Sequence, residues 1–200
     1  AALAARLQVF ARAAQGGPEQ PLRSVPILDD AELQRLLREW NDTAAPAAAE
    51  PCIHRQFLAV AMQKPKAVAL VHQGVELTYG DLRLRVLRLA GWLRSRGVGR
   101  GDRVGLCTQR GFGMVTAVLA TQCCGAAYVP LDPSYPRDRL QFMAEDADLR
   151  ALVVDAGSAA AAPAVACSRV DLDADAEAIA AADLLLTDET TGDDLAYVIY

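Results

Sequence analysis

The sequence predicts an α/β fold, a mainly parallel β-sheet covered by helices on both faces. From Cys52 onward, short apolar runs rich in Val, Leu and Ala alternate with amphipathic helical stretches, the rhythm of β-strands joined by helical crossovers. Runs such as Ala151-Leu152-Val153-Val154 are apolar throughout, as strands buried on both faces are. The chain has 200 residues, of which 52% are hydrophobic and 22% charged. That is enough to bury a sizeable core without disulfides, and it excludes an intrinsically disordered polyelectrolyte. Strands in this order require right-handed crossovers.

In chain order, residues 1–14 read as a helix with Leu3, Leu7 and Phe10 on one face, ended by Gln15-Gly16-Gly17-Pro18. A Pro-bearing loop leads to a second short helix. Asp29-Asp30 open it, where carboxylates oppose the positive end of the dipole, and Leu33, Leu36 and Leu37 line its face. Residues 44–51 (Ala-Ala-Pro-Ala-Ala-Ala-Glu-Pro) form a low-complexity linker and mark a domain boundary. A helix near 53–63 stops at Lys64-Pro65. Ala67 to Val71 and Val75 to Leu77 are strands joined by a turn at His72-Gln73-Gly74. Thr78 and Asp81 have capping-box spacing, although Asp is shorter than the usual Glu or Gln. The helix they open buries Leu82, Val86, Leu89, Ala90 and Leu93 and stops at Gly97. A strand over 104–107, a helix over 112–123, a strand over 126–131, a helix begun by Pro136 and a strand over 151–154 follow. Residues 156–194 are Ala- and Asp-rich and less regular, with a strand over 166–170. The run 195–200 reads as a further strand. A chain that stops inside such a run is expected to be a piece of a longer one, because an unpaired apolar edge invites aggregation.

Composition narrows the function classes. No stretch reaches the roughly 18 to 20 uninterrupted apolar residues of a membrane span, and the first residues lack signal-peptide order. The expectation is a cytoplasmic protein with no membrane partner. Cys52, Cys107, Cys123, Cys124 and Cys167 are odd in number and lack CxxC spacing, so they read as reduced, buried small hydrophobes rather than as disulfide or metal ligands. The net charge of -5 is unevenly spread: Arg169 stands alone among ten acids in 151–200. No basic stripe interleaved with aromatics is present, so nucleic acid is excluded as a partner.

Several apparent motifs fail on context. Gly97-Val98-Gly99-Arg100-Gly101 follows a helix and precedes a strand, the reverse of the order that seats phosphate on a helix N-terminus. Gly111-Phe112-Gly113 follows a strand and opens a helix, but Thr116 stands where a dinucleotide fingerprint has its third glycine. Thr190-Thr191-Gly192 is surrounded by Asp188, Glu189, Asp193 and Asp194 with no neighbouring Lys or Arg, and reads as a solvated loop rather than a phosphate cradle. His54 and His72 have no Ser or Cys in a nucleophile setting. The acids Glu145, Asp146 and Asp148 at a helix end read as surface, and Cys123-Cys124 as helix core. No catalytic, cofactor-binding or metal-binding residue is nominated within residues 1–200.

Two stretches carry a family resemblance. Leu77-Thr78-Tyr79-Gly80-Asp81-Leu82 resembles the first core motif of the adenylation domains of nonribosomal peptide synthetases. Cys124-Gly125-Ala126-Ala127-Tyr128-Val129-Pro130-Leu131-Asp132-Pro133-Ser134-Tyr135-Pro136 closely resembles the second. Arg137 to Leu140 and the Asp194 to Tyr200 run also fit. Leu36 to Thr43 is similar to the linker that joins a condensation domain to an adenylation domain. The family usually has Lys-Ala where Cys123-Cys124 stand, and often Ser where Gly111 follows Arg110. These departures fall on scaffold elements.

The resemblance implies three regions: residues 1–17 as the last helix of a condensation domain, 18–51 as an interdomain linker, and 52–200 as the N-terminal portion of an adenylation domain. It implies a parent ligase that uses ATP and Mg²⁺ to convert an amino acid to an aminoacyl adenylate, then loads it on the phosphopantetheine thiol of a carrier domain. Covalently linked condensation and carrier domains are the implied partners. In the family the phosphate-binding loop follows the run matching Tyr197 to Tyr200, so residues 1–200 alone are expected to be inactive. The loop Asp132-Pro133-Ser134 is expected near the path of the carrier thiol. Two other classes share the scaffold: a stand-alone acyl-CoA or aryl-acid ligase, and a non-catalytic platform between synthetase domains.

Overall fold

The computed structural model describes residues 2–17, 19–45 and 52–200. The chain divides into two compact units, Ala1–Ala47 and Ala48–Tyr200. The linker expected at 44–51 lies, from residue 46 on, outside the described residues.

In the first unit, α1 (Ala2–Gly16) runs two residues past its predicted end. α2 (Asp30–Leu37) is capped by Asp29, whose side chain accepts from the Glu32 N–H at 2.7 Å. Such a cap satisfies one of the four donors that a helix start leaves unpaired. The Arg6 guanidinium meets the Glu32 carboxylate at 2.5 Å and ties α1 to α2. Leu3, Leu7, Leu33, Leu37 and Trp40 are exposed.

The second unit begins with α3 (Ile53–Gln63), followed by a hairpin of β1 (Val68–His72) and β2 (Val75–Thr78), paired antiparallel. Its two-residue turn, Gln73 and Gly74, has both φ angles positive, the backbone that matches the natural twist of a hairpin. α4 (Tyr79–Ser95) starts at the predicted cap. Thr78 Oγ1 accepts from the Asp81 N–H at 3.2 Å and donates to Asp81 Oδ2 at 2.6 Å. The short Asp side chain meets the Thr hydroxyl, where a Glu would reach back to the backbone N–H. At the other end, Gly97 (φ +82°) donates to the Arg94 carbonyl at 2.9 Å and Val98 to that of Leu93 at 3.1 Å. These two bonds form a Schellman stop, closed by the fully buried Leu93 and Val98. The glycine-rich run 97–101 is therefore a turn.

The main sheet contains β3 (Arg103–Cys107), β4 (Ala127–Pro130), β5 (Ala151–Val154) and β6 (Ser168–Asp171) in the order β4-β3-β5-β6, all parallel. α5 (Phe112–Cys123) connects β3 to β4, and α6 (Arg137–Asp146) connects β4 to β5. One face packs against α4 and α5 through Val86, Leu89, Leu93, Ala117 and Ala120. The opposite face packs against α6 through Leu140, Met143 and Ala144. Both faces are thus covered, as the apolar strands require.

Four expectations need correction. Pro136 is the N-cap of α6, not its first helical residue. α7 (Ala176–Ala181) interrupts the stretch expected to be irregular; its Ala-rich sequence has good helix propensity but no readable face. The last predicted strand is reduced to one parallel bridge, Tyr128 to Tyr197. Ala196 O accepts from Tyr128 N at 3.2 Å and Val198 N donates to Tyr128 O at 3.0 Å. The next rung would need an N–H from residue 130, which is proline, so the ladder stops there. Finally, Cys52, Cys107, Cys123 and Cys124 are buried as expected, but Cys167 is only half-buried. Burial pushes the Cys123 and Cys124 thiols up to about 12 and Cys107 to about 11.

Two outcomes follow. Leu89→Ala, in the fully buried face of α4, lowers unfolding free energy in urea titration by about 2–5 kcal/mol. A thiol reagent at pH 8 modifies Cys167 of the native chain first, and all five cysteines only after denaturation, counted by mass spectrometry.

Candidate functional site

Open parallel sheets collect ligands at the carboxyl ends of their strands, where neighbouring strands send their connections to opposite faces. β3 and β4 meet that condition: β3 leads to α5 on one face and β4 to α6 on the other. Between their ends is a crevice of about 630 Å³, lined by Thr108, Gln109 and Arg110 after β3, by Leu131, Asp132 and Pro133 after β4, and by Met114 and Val118 of α5.

Local sequence shapes both rims. After β3, the Gln109 N–H donates to Asp155 Oδ2 at 2.7 Å, and Asp155 Oδ1 accepts from the Ser158 N–H at 2.9 Å. The buried Ser158 hydroxyl donates to the Cys107 carbonyl. One carboxylate thus fastens the ends of β3 and β5 together. After β4, Asp132 Oδ1 accepts from the Ser134 N–H at 2.9 Å and the Asp132 carbonyl from the Tyr135 N–H at 3.0 Å. This Asx-type turn delivers the chain to α6. The Ser134 backbone N–H, with the Ser134 side chain and the Arg110 charge, holds the Asp132 carboxyl below its ordinary range. Thr108 is 7% exposed, and its Oγ1 has no hydrogen-bond partner among the described residues. α5 opens at Gly111 without a side-chain cap, and the His72 ring lies edge-on to Phe112, 5.9 Å between centroids. The crevice therefore offers a guanidinium, a buried hydroxyl and a fixed carboxylate, with no nucleophile paired to a base.

Gly111-Phe112-Gly113 does lie between strand and helix, but its second glycine serves packing. A β-carbon at 113 would stand 3.0 Å from Leu172 Cδ1.

The acidic loop differs more from expectation. It has no cation nearby in sequence, yet the fold brings it two arginines, Arg55 and Arg100, and the His54 imidazole. Asp188 Oδ2 accepts from Arg55 Nε at 2.5 Å and from His54 Nε2 at 3.1 Å, and Asp188 Oδ1 accepts from the Thr190 N–H at 2.9 Å. Asp194 accepts from Arg100 Nε at 2.9 Å. His54 is 2% exposed and belongs to this cluster. Burial alone would push the Asp188 carboxyl up; the hydrogen bonds from Arg55, Thr190 and His54 outweigh it and hold the group well below the usual carboxylate range. Among the described residues, no three His, Cys, Asp or Glu side chains are gathered closely enough to hold a metal ion, and no helix is long and apolar enough to cross a membrane.

The model of the AMP-binding enzyme family matches residues 57–200. The chain belongs to that family. It is 39% identical over 190 residues to a linear gramicidin synthase of Brevibacillus parabrevis, covering 94% of this chain and 4% of the relative. It is 32% identical over 194 residues to a surfactin synthase of Bacillus subtilis (strain 168), covering 94% and 5%. Among solved structures it is similar to the nonribosomal peptide synthetase FmoA3 in its alpha-methyl-L-serine-AMP bound form, with a TM-score of 0.74, 30% identity, and coverage of 97% of this chain and 22% of that one. The N-terminal domain of FACL13 from Mycobacterium tuberculosis shares the fold alone, with a TM-score of 0.67 at 22% identity, covering 73% and 40%. The resemblance read from the two core motifs is thus borne out: this member of the AMP-binding family corresponds to the N-terminal part of a nonribosomal-synthetase adenylation domain. The chain spans only 2% to 4% of the length of the linear gramicidin synthases it matches.

Donor chemistry tests the fit of a nucleotide. The arginines beside residues 188–194 are already bonded to Asp188 and Asp194, and a triphosphate placed there would face those carboxylates. These loop residues of the AMP-binding chain do not form a phosphate cradle.

The Asp188 cluster has a defined acid limb. A carboxyl depressed on folding stabilises above its unfolded pKa, about 3.9 for Asp, and that stabilisation is lost as pH falls through the lower folded value. Asp188→Asn should cost about 2 kcal/mol at pH 7. In urea titrations the gap between the variant and the natural chain should be constant near neutrality and narrow progressively as pH falls below about 4.

Proposed function

We propose that residues 52–200 are the scaffold half of an adenylation domain in a nonribosomal peptide synthetase, that residues 18–51 link it to a preceding condensation domain, and that residues 1–17 are the last helix of that domain. The parent activity is formation of an aminoacyl adenylate from an amino acid and ATP-Mg²⁺, with release of pyrophosphate, and transfer of the aminoacyl group to the phosphopantetheine thiol of a carrier domain. The observation that carries this reading is the match to FmoA3 over 97% of the chain, joined to a parallel sheet whose β3–β4 crevice stands at the expected ligand end. Similarity at 39% identity to a gramicidin synthase, over 94% of the chain, favours a synthetase over a stand-alone acyl-CoA ligase, to which the likeness is of fold alone.

Within this reading Asp132, Pro133 and Ser134 border the approach of the carrier thiol, because their turn forms the rim of the crevice beside Arg110. Positioning and charge stabilisation dominate phosphoryl chemistry, and the loop 188–194 offers no group for it. The residues that hold the triphosphate are therefore assigned to parts of the synthetase other than residues 1–200, in the cytoplasm with the remaining domains.

Amino-acid-dependent exchange of labelled pyrophosphate into ATP tests the proposal. The synthetase module containing this chain should exchange with one amino acid of a panel, and residues 1–200 alone should not. Exchange by residues 1–200 would overturn the placement of the phosphate site. A module inert to every amino acid while intact by gel filtration would overturn the adenylation reading.

A further inference from the structure

The segment 183–198 is a strap fastened to the rest of the second unit at successive points. It crosses α4 where Leu185 N donates to the Leu87 carbonyl at 3.1 Å. Position 91 must be glycine there, since a β-carbon would stand 1.8 Å from the Asp183 carbonyl oxygen. Next comes Asp188, gripped by His54 and Arg55 from α3, while Arg55 Nη2 also donates to the Thr190 carbonyl at 2.5 Å. Asp194 follows, held by Arg100 and by the Thr191 N–H at 2.7 Å. Two residues later, Ala196 and Val198 make their backbone bonds to Tyr128 of β4.

The fastenings differ in character. Arg100 and Asp194 form an exposed pair of the kind that contributes little. Asp188 is different: its partner His54 is almost completely buried, and its oxygens accept three hydrogen bonds, two of them from α3. Removing that carboxylate takes one acceptor from the Arg55 guanidinium and one from the buried His54 imidazole, which costs more than an exposed pair gives. Two backbone bonds hold 196–198 against β4, and Pro130 forbids the next. The Tyr128 and Tyr197 rings, 5.6 Å between centroids, and Val198 packed beside the α6-side core add side-chain contact at the same edge. The Asp188 clasp fixes where the chain arrives there.

We propose that His54, Arg55 and Asp188 are positioning residues that set the register of 196–198 against β4. Through Tyr128, whose backbone takes both bonds from 196–198 and which lines the β3–β4 crevice, they hold one wall of the candidate site. The functional half of this inference rests on the adenylation reading; the structural half does not.

The test uses the synthetase module that contains these residues and two readouts. The first is hydrogen–deuterium exchange at the Val198 amide, and the second is the KM for ATP and kcat of amino-acid-dependent pyrophosphate exchange. Asp188→Ala and Arg55→Ala should each speed Val198 exchange about tenfold and raise the KM for ATP with a smaller change in kcat, and Arg55→Lys should restore most of both. Asp188→Asn, nearly isosteric, serves if the alanine variant does not fold. Unchanged Val198 exchange in the variants overturns the clasp. Faster exchange with unchanged KM overturns the positioning role. A natural module without pyrophosphate exchange defeats the adenylation reading instead, and Val198 then judges the clasp alone.

Discussion

A parallel strand in the middle of a sheet must be bonded on both edges and covered on both faces, and β3 is the strand on which this molecule meets that demand. β4 and β5 pair with it on either side. Its residues from Val104 to Cys107 are buried. Because an uncovered apolar face is costly at roughly 25 cal/mol per Å², α4 and α5 must occupy one side and α6 the other. The crevice follows from the same requirement. Strands that send their connections to opposite faces part at their carboxyl ends, so Arg110 and Asp132 come to face one opening. Site and core are in this sense one solution to one packing problem.

Charge is arranged on the same scaffold at long range. The acid-rich stretch after residue 183 has no basic neighbour in sequence, and the balance is restored in space by α3 and by the turn after α4, which supply Arg55 and Arg100. The carboxylates that make the loop look solvated are the groups that dock it. They also disqualify it as a phosphate site, since its cations are already engaged.

What can be read in the chain before folding is whatever is local. The capping pair Thr78 and Asp81, the Gly97 stop and the hairpin turn each involve groups a few residues apart; the first two appear where the pattern places them, and the turn is one residue shorter, with His72 in β1. β6 is blurred and α7 is hidden because Ala-rich segments carry little periodicity. The pattern overstates the strand over 195–200: its own residues favour extended backbone, but Pro130, on another strand, decides how far it can pair. Arg110 and Thr108 escape a motif-based reading although their place at the end of β3 is visible. The Asp188 cluster cannot be seen at all, because its partners lie 133 and 134 residues away.

That separation gives the strap a place in the history of each molecule. His54 and Arg55 leave the ribosome long before residue 188 is made, while the hairpin and α4 can form at once from neighbours. Closing so long a loop carries a large chain-entropy cost and gains nothing until Asp188 arrives. The clasp is therefore among the later fastenings of the nascent chain to set, made only once residue 188 has been synthesised.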